Sequence, residues 1–511
     1  MNNRDSKPGG RAGVPSGHTG IWVFLGLTAW SALAVWFFYS NGWQYYYGDA
    51  EAHLNIARRI SDNLTPGYDQ VGTVWLPLPH WLMLPLAHID KLWINGLAGA
   101  IPSAAGFVLG ACLLFAAVRR VLESTAAAVT ATALVAFNPN LMYLQSTAMT
   151  EAIFLACLMG LFYCSVRFAE SQSWWAVVGA GLAALAGTLT RYEGWFLIPF
   201  VAAYFLTVGK RRRVEAALLF GFLATLGPLY WLGHNWWLDG DPLAFYRGPY
   251  SARAIQGTAA YPGMNDWAAA FRYFRTAVQL CAGSLPAFMA LAGAVALLWR
   301  RKLWPLALLA LPGIFYIWSL HSGGTPIHVP TLPPFSWYNT RYGLAALPLL
   351  AVAAAGLVAI APRGVSAVLA ALVVAAAAVP WLLHPQPRNW ITWEESRVNS
   401  EARRAWTDEA AAYLGPRYRV GEGLLTSFSE VTVVYRRLGI PLHDTLTGDN
   451  GLLWLAALQR PELWLHQDWA VLPVGDPMWK AIQPMSRAGT HYTLEKTIPV
   501  GGAPSIQIFR R

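Results

Sequence analysis

The sequence predicts a polytopic α-helical membrane protein with about 11 transmembrane helices and a small C-terminal α/β domain outside the membrane. Three observations lead there. Of 511 residues, 55% are hydrophobic and only 13% charged, against roughly 25% charged in soluble globular proteins. The apolar residues are gathered into runs near the ~20 residues that a helix needs to cross a hydrocarbon core. The basic clusters sit at the ends of alternate runs. This composition excludes a disordered chain, a disulfide-stapled secreted scaffold and an ordinary cytosolic enzyme. Cys112, Cys157, Cys164 and Cys281 all fall in apolar stretches and give no disulfide or metal-site spacing.

In chain order the runs lie near residues 21–40, 97–118, 124–138, 150–168, 174–190, 195–209, 214–233, 278–299, 303–320, 343–361 and 365–383. The third is too short to cross upright and is expected to be tilted, broken or re-entrant. The first has no small-residue cleavage site after a short core, so it reads as an uncleaved helix. Residues 1–20 read as a disordered cytoplasmic N-terminus, and 21–384 as the membrane domain. Alternating sides from a cytoplasmic N-terminus places six basic clusters inside: Arg4 with Lys7 and Arg11, Arg119–Arg120, Arg167, 210–213, 300–302 and Arg363. The positive-inside rule asks for this arrangement. The net charge of +10 is thereby explained by topology, with no call for a nucleic-acid partner.

The long loops, 41–95, 138–150, 234–277 and 320–342, then face outside, as does the segment 385–511. That segment differs in composition. Trp393–Glu395, Arg403–Arg404 and Asp408–Glu409 read as helical, and 420–427, 431–435 and 469–474 as short buried strands.

Ionisable groups at a membrane boundary are functional candidates, and four places on the outer side carry them. After the first run comes Tyr45-Tyr46-Tyr47-Gly48-Asp49-Ala50-Glu51-Ala52-His53, continuing through Arg58. Leu54, Ala57 and Ile60 repeat at helical spacing, with Glu51, Asn55, Arg58 and Asp62 on another face. This predicts an amphipathic helix lying on the outer membrane face. Asp49 is either an N-cap or a general base for a hydroxyl. Thr150-Glu151 opens the fourth run, where the helix dipole alone would favour the carboxylate. Thr190-Arg191-Tyr192-Glu193-Gly194 joins two apolar runs with almost no loop, as a structural ion pair or the lining of a polar cavity. Asn339-Thr340-Arg341-Tyr342-Gly343 enters the tenth run. Arg341 there is a planar donor suited to phosphate, or an interfacial arginine among aromatic anchors. His80, His321 and His328 also lie outside and match no metal motif.

The motifs Gly48-Asp49-Ala50-Glu51, Thr150-Glu151, Thr190 to Gly194 and Arg341-Tyr342, in this order and on one side, resemble the GT-C superfamily of polyprenyl-phosphate-sugar glycosyltransferases. The likeness is to bacterial family-39-type enzymes, relatives of the protein O-mannosyltransferases and aminoarabinose transferases, and it covers most of the chain to about residue 385. It implies a GT-C-like transmembrane catalytic domain and sugar transfer from a polyprenyl-phosphate donor to an acceptor hydroxyl, with inversion, at the outer face of a bacterial inner membrane. It also implies Asp49 as the base, with Glu51 the alternative because Ala50 separates the two acids. Glu151, with Glu193, would shape the site or hold a divalent metal, which stays open. Arg341, Arg191 and Arg58 are the candidates for the donor phosphate, and His53, Tyr192, Tyr342 and His80 for the substrate pocket. No Gly-rich phosphate loop is present, and a lipid-phosphate donor needs none. The partners implied are the polyprenyl-phosphate lipid and a glycan, lipid or protein acceptor, with the enzyme acting as a monomer. No Trp-Trp-Asp-Tyr-Gly motif appears, which argues against an oligosaccharyltransferase. A pyrophosphate-linked oligosaccharide transferase of the same fold and a lipid or sugar transporter are the rival readings. A transporter tends to place its charges near the midplane, whereas here they gather at one face.

Overall fold

The computed structural model describes residues 18–427, 433–488, 491–499, 501 and 503–511. The expected N-terminus 1–20 lies almost wholly outside these residues, as does the start of the stretch 431–435.

All eleven apolar runs are helical, but they do not give eleven straight spans. Among the described residues, seven helices are long and apolar enough to cross a membrane: His18–Ser40, Leu97–Leu122, Glu151–Ser171, Arg213–Asp239, Trp304–His321, the stretch Thr340–Ile360, and Arg363–Leu383. Two further runs are bent pairs. Thr125–Ala136 turns by 66° into Pro139–Gln145, and Trp267–Ala282 turns by 106° into Ser284–Trp299. The short third run is therefore bent, as a broken span or a re-entrant loop. Asn138 sits at its bend, accepts a hydrogen bond from the Leu141 amide at 3.0 Å and donates to the Cys281 carbonyl at 2.9 Å. The second bend turns at Gly283, whose φ of +89° disfavours residues with a Cβ. Trp174–Thr188 and Glu193–Val208 are apolar but shorter.

Small residues set the closest helix packing. A Cβ on Gly106 or Gly110 would come within 3.0 or 3.1 Å of the backbone of Glu151–Ser171. That close approach fixes Glu151 at the head of its helix against Leu97–Leu122.

The C-terminal segment begins with helices Ile391–Asn399 and Glu401–Leu414. A five-stranded sheet follows in the order β2-β1-β3-β5-β4, with β1 Leu424–Thr426, β2 Thr445–Leu446, β3 Trp469–Pro473, β4 Thr493–Ile498 and β5 Ile506–Arg510. β1 runs parallel to β2 and β3, and β5 lies antiparallel between β3 and β4. The expected strands at 420–427 and 469–474 are present, shortened. The stretch 431–435 is not a strand where it is described. Val434–Leu438 is a one-turn helix closed by Gly439 at φ +71°. Its apolar run is too short to display a period, and the turn aims Arg436 at the membrane domain.

The first-loop helix, Gly48–Arg59, does not lie on the membrane face with a wet polar side. Ala50 through Arg58 are all buried. Its polar stripe is the interface to the C-terminal domain. Glu51 pairs with Arg436, Asn55 accepts from Trp93 and donates to Tyr435, and Asp62 beyond the helix binds His443. Sequence spacing shows a polar face but not whether water or protein covers it.

Candidate active site

One cluster gathers charge from five segments far apart in sequence. At its centre is Arg341, 8% exposed, whose guanidinium is divided among three carboxylates. Nη2 reaches Asp49 at 2.5 Å, Nε reaches Glu151 at 3.2 Å, and Nη1 reaches Glu395 at 3.4 Å. Its faces rest on Tyr47 and Tyr342, with ring centroids 5.0 and 5.2 Å away. Arg191 stands beside it. Its Nη1 donates to Thr150 at 2.9 Å and to Glu151 at 3.0 Å, its Nε to Glu193 at 2.7 Å, and its Nη2 to the Tyr316 hydroxyl at 2.8 Å. The Tyr316 hydroxyl also donates to Glu193. Planar forks of this kind can serve several acceptors at once, which an ammonium on a flexible stem does less well.

Local structure explains how each group arrives. Asp49 is the second residue of its helix. The N-cap position belongs to Tyr47 and carries no side-chain cap, so capping does not account for the aspartate. Arg191 sits in the tight connection between Trp174–Thr188 and Glu193–Val208, whose position brings its side chain into the cluster. Arg341 lies in a 3₁₀ turn, Thr340–Ala346, at the head of its span. Glu395 comes from the first helix of the C-terminal domain. Its carboxylate also accepts from the Thr340 amide at 2.7 Å and the Tyr47 hydroxyl at 3.3 Å. Burial raises the Glu395 carboxyl above its ordinary value, against the pull of Arg341 and the Thr340 hydrogen bonds.

The two guanidiniums stand at one end of an apolar groove. Leu141, Phe154, Leu155, Leu158 and Leu344 line its length, and Glu151, Arg191, Glu193 and Arg341 its head. One carboxylate oxygen there, Glu151 Oε2, is buried without a hydrogen-bond partner. Asp49 is the accessible acid of the set: its side chain is 41% exposed, against 10% for Glu151 and 1% for Glu395.

The structure thus brings together Asp49, Glu151, Arg191, Glu193, Arg341 and Tyr342. Other candidates go elsewhere. Glu51 turns to the opposite side of its helix, 2% exposed, and is bound by two nitrogens of Arg436. Arg58 is a clamp, held by Asp62 and Asp90 at 2.6 Å each and by the carbonyls of Ala87 and His88, so it is not free for a phosphate. Tyr192 is a pin: it donates to the Val74 carbonyl, accepts from Trp231 and stacks on Phe245. His53 and His80 form a buried pair beside the cluster. Glu395 and Tyr316 are members that sequence reading misses. Glu395 falls in an ordinary charged helix, and Tyr316 reads as one aromatic among many in a span. Among the described residues, no three His, Cys, Asp or Glu side chains are placed to hold a metal ion. Arginines fill the space between the carboxylates, so the side chains present do not fit a divalent metal.

A family model for dolichyl-phosphate-mannose-protein mannosyltransferases matches residues 77–237. Among solved structures, ArnT from Cupriavidus metallidurans bound to undecaprenyl phosphate aligns over 97% of this chain and 98% of its own, at 14% identity and a TM-score of 0.59. The chain has a GT-C-like fold. The apo oligosaccharyltransferase of Archaeoglobus fulgidus shares this GT-C fold, covering 96% of this chain and 76% of its own at 13% identity and a TM-score of 0.53. No curated protein matches the sequence.

Proposed function

We propose that this GT-C protein is a glycosyltransferase that moves a sugar from a polyprenyl-phosphate donor to an acceptor hydroxyl, with Asp49 as general base. The observation that carries the reading is the pair of guanidiniums at the polar head of an apolar groove, with one accessible carboxylate on the rim. The prenyl chain lies in the groove, and the phosphate meets Arg341 and Arg191. The bound lipid in the ArnT structure supports this donor class. From the positive-inside pattern, the site faces outside a bacterial inner membrane, with the N-terminus inside and the C-terminal domain outside.

The charge count shapes the mechanism. Four carboxylates, Asp49, Glu151, Glu193 and Glu395, surround two guanidiniums. An incoming phosphate must therefore exchange with a carboxylate. Asp49 is the exchangeable one, because it is the most exposed and holds Arg341 by a single contact. Donor binding displaces Asp49 from Arg341 and frees it to face the acceptor. Asp49 then takes the acceptor proton as the hydroxyl oxygen attacks the anomeric carbon. The bond from that carbon to the phosphate oxygen breaks, and its electron pair leaves with polyprenyl phosphate. The fixed guanidiniums stabilise that charge without reorganising. Attack opposite the leaving group inverts the anomeric centre.

The test is release of polyprenyl phosphate by the purified protein in lipid vesicles, with a panel of polyprenyl-phosphate sugars as donors. Release from one sugar, abolished in Asp49→Asn while donor affinity is kept or improved, supports the reading. An active Asp49→Asn variant refutes the base. A well-folded wild type that releases nothing from any monophosphate donor refutes the donor class.

A further inference from the structure

Asp49 and His53 are one helical turn apart and share a face of Gly48–Arg59, the face opposite Glu51. The spacing puts His53 on the side of the helix that carries Asp49, within electrostatic reach of Asp49 and Glu151 on one hand and Arg191 and Arg341 on the other. Its Nδ1 lies 2.9 Å from Nε2 of His80, and its ring packs on Trp75 with centroids 4.7 Å apart. The segment that carries Trp75 and His80 is tied to the Arg191 connection: the Leu78 amide donates to the Leu189 carbonyl, and Tyr192 donates to Val74. Both rings are buried, His80 completely.

Only one proton fits between the two facing nitrogens. If His53 Nδ1 carried it, a neutral His80 would hold its own proton on Nδ1. That atom is buried and has no partner. A buried N–H without an acceptor is the rarer and costlier defect, more so than an unused lone pair. The proton therefore sits on His80 Nε2 and is donated to His53 Nδ1. A neutral His53 then carries its remaining proton on Nε2. Burial lowers the affinity of His53 for a second proton to about 4, so the ring is neutral at physiological pH. Nε2 of His53 is not sealed in the interior as His80 Nδ1 is, and it has no hydrogen-bond partner among the described residues.

We propose that His53 donates a hydrogen bond from Nε2 to an oxygen of the transferred sugar, and that His80 is the positioning residue that fixes its tautomer. The inference rests on the donor reading above. The phosphate has two guanidiniums and needs no third cation. The sugar lies between that phosphate and the acceptor oxygen near Asp49. A neutral N–H matches a sugar oxygen without adding charge to a crowded array.

The experiment compares binding of two probes by full-length protein in lipid vesicles: the polyprenyl-phosphate sugar and polyprenyl phosphate alone. His53→Ala should weaken the sugar-linked lipid roughly tenfold, the worth of one hydrogen bond, and leave the bare lipid unchanged. His53→Gln, whose amide can place an N–H near the Nε2 position, should recover most of the loss. His80→Leu should lower affinity for the sugar-linked lipid alone, and His80→Gln, which keeps a donor toward His53, should restore it. Equal loss of both probes in His53→Ala, or loss of neither, overturns the proposal. A selective loss in His53→Ala, with a wild type that never turns over any donor, would sink the transferase reading and leave the His53 contact standing.

Discussion

Glu51 and Asp49 lie two residues apart, and their substitutions should separate folding from turnover. Glu51 is 2% exposed and bound through both oxygens to Arg436, itself 13% exposed. Removing one member of a buried ion pair strands the other charge, at a cost of ~3–5 kcal/mol. Glu51→Gln keeps size and one acceptor, so the lower end applies, about 3 kcal/mol. The loss falls on the contact between the first-loop helix and the C-terminal domain. It should appear there as a roughly 10²-fold rise in local opening, since each ~1.4 kcal/mol is tenfold. Asp49 has one partner and is 41% exposed. Asp49→Asn should change stability by less than ~1 kcal/mol and lower turnover by ~10²–10⁴-fold or more. Hydrogen–deuterium exchange on residues 48–60 and 434–440, read beside polyprenyl phosphate release, tests both arms. If Glu51→Gln abolished turnover without faster exchange, Glu51 would be the base and the assignment would be wrong.

Arg341→Lys should weaken binding of polyprenyl phosphate at least tenfold, because a single ammonium cannot serve Asp49, Glu151 and Glu395 together; unchanged affinity in a lipid-binding assay would count against the phosphate site. Leu158→Trp, within the apolar groove, should impair long-chain donors and spare a short, water-soluble prenyl-phosphate sugar; equal loss on both would mean the groove does not hold the chain. Glu395 makes a pH prediction. Burial raises its folded value above the ordinary 4.5. Its contribution to stability is therefore fully present below that ordinary value and lost as pH rises through the folded one. Glu395→Gln should flatten thermal stability across this window; a wild-type slope of the same size in the variant would show that another group titrates.

Much of the site was legible because ionisable groups are scarce in this chain. Glu151, Arg191, Glu193 and Arg341 stand where an apolar run begins or ends, and Asp49 follows soon after the first; such groups need a partner or a cavity. The partners themselves were not legible. Arg341 meets Asp49 across 292 residues of sequence, a separation that no periodicity encodes. Arg58 and Glu51 read as a solvated helix face because a polar stripe looks the same against water and against another domain. Glu395 escaped for the same reason: in Trp393–Arg397 it is one charge among several, and only the docking of its helix singles it out. Spans were legible as apolar runs, but their bends at Asn138 and Gly283 depend on neighbours that hold the exposed backbone groups.

Glu395 also imposes an order on the protein's birth. The ribosome delivers Asp49 early, then Arg341, and only later the helix that carries Glu395, 348 residues after Tyr47. At ~5–20 residues per second, the nascent chain spends on the order of a minute or less with its earliest acid made and its keystone arginine missing or incompletely braced. The charged cluster is closed by a late arrival. A polypeptide halted after Leu383 would hold Arg341 without the Glu395 carboxylate that braces it, so the cluster is finished only with the C-terminal segment.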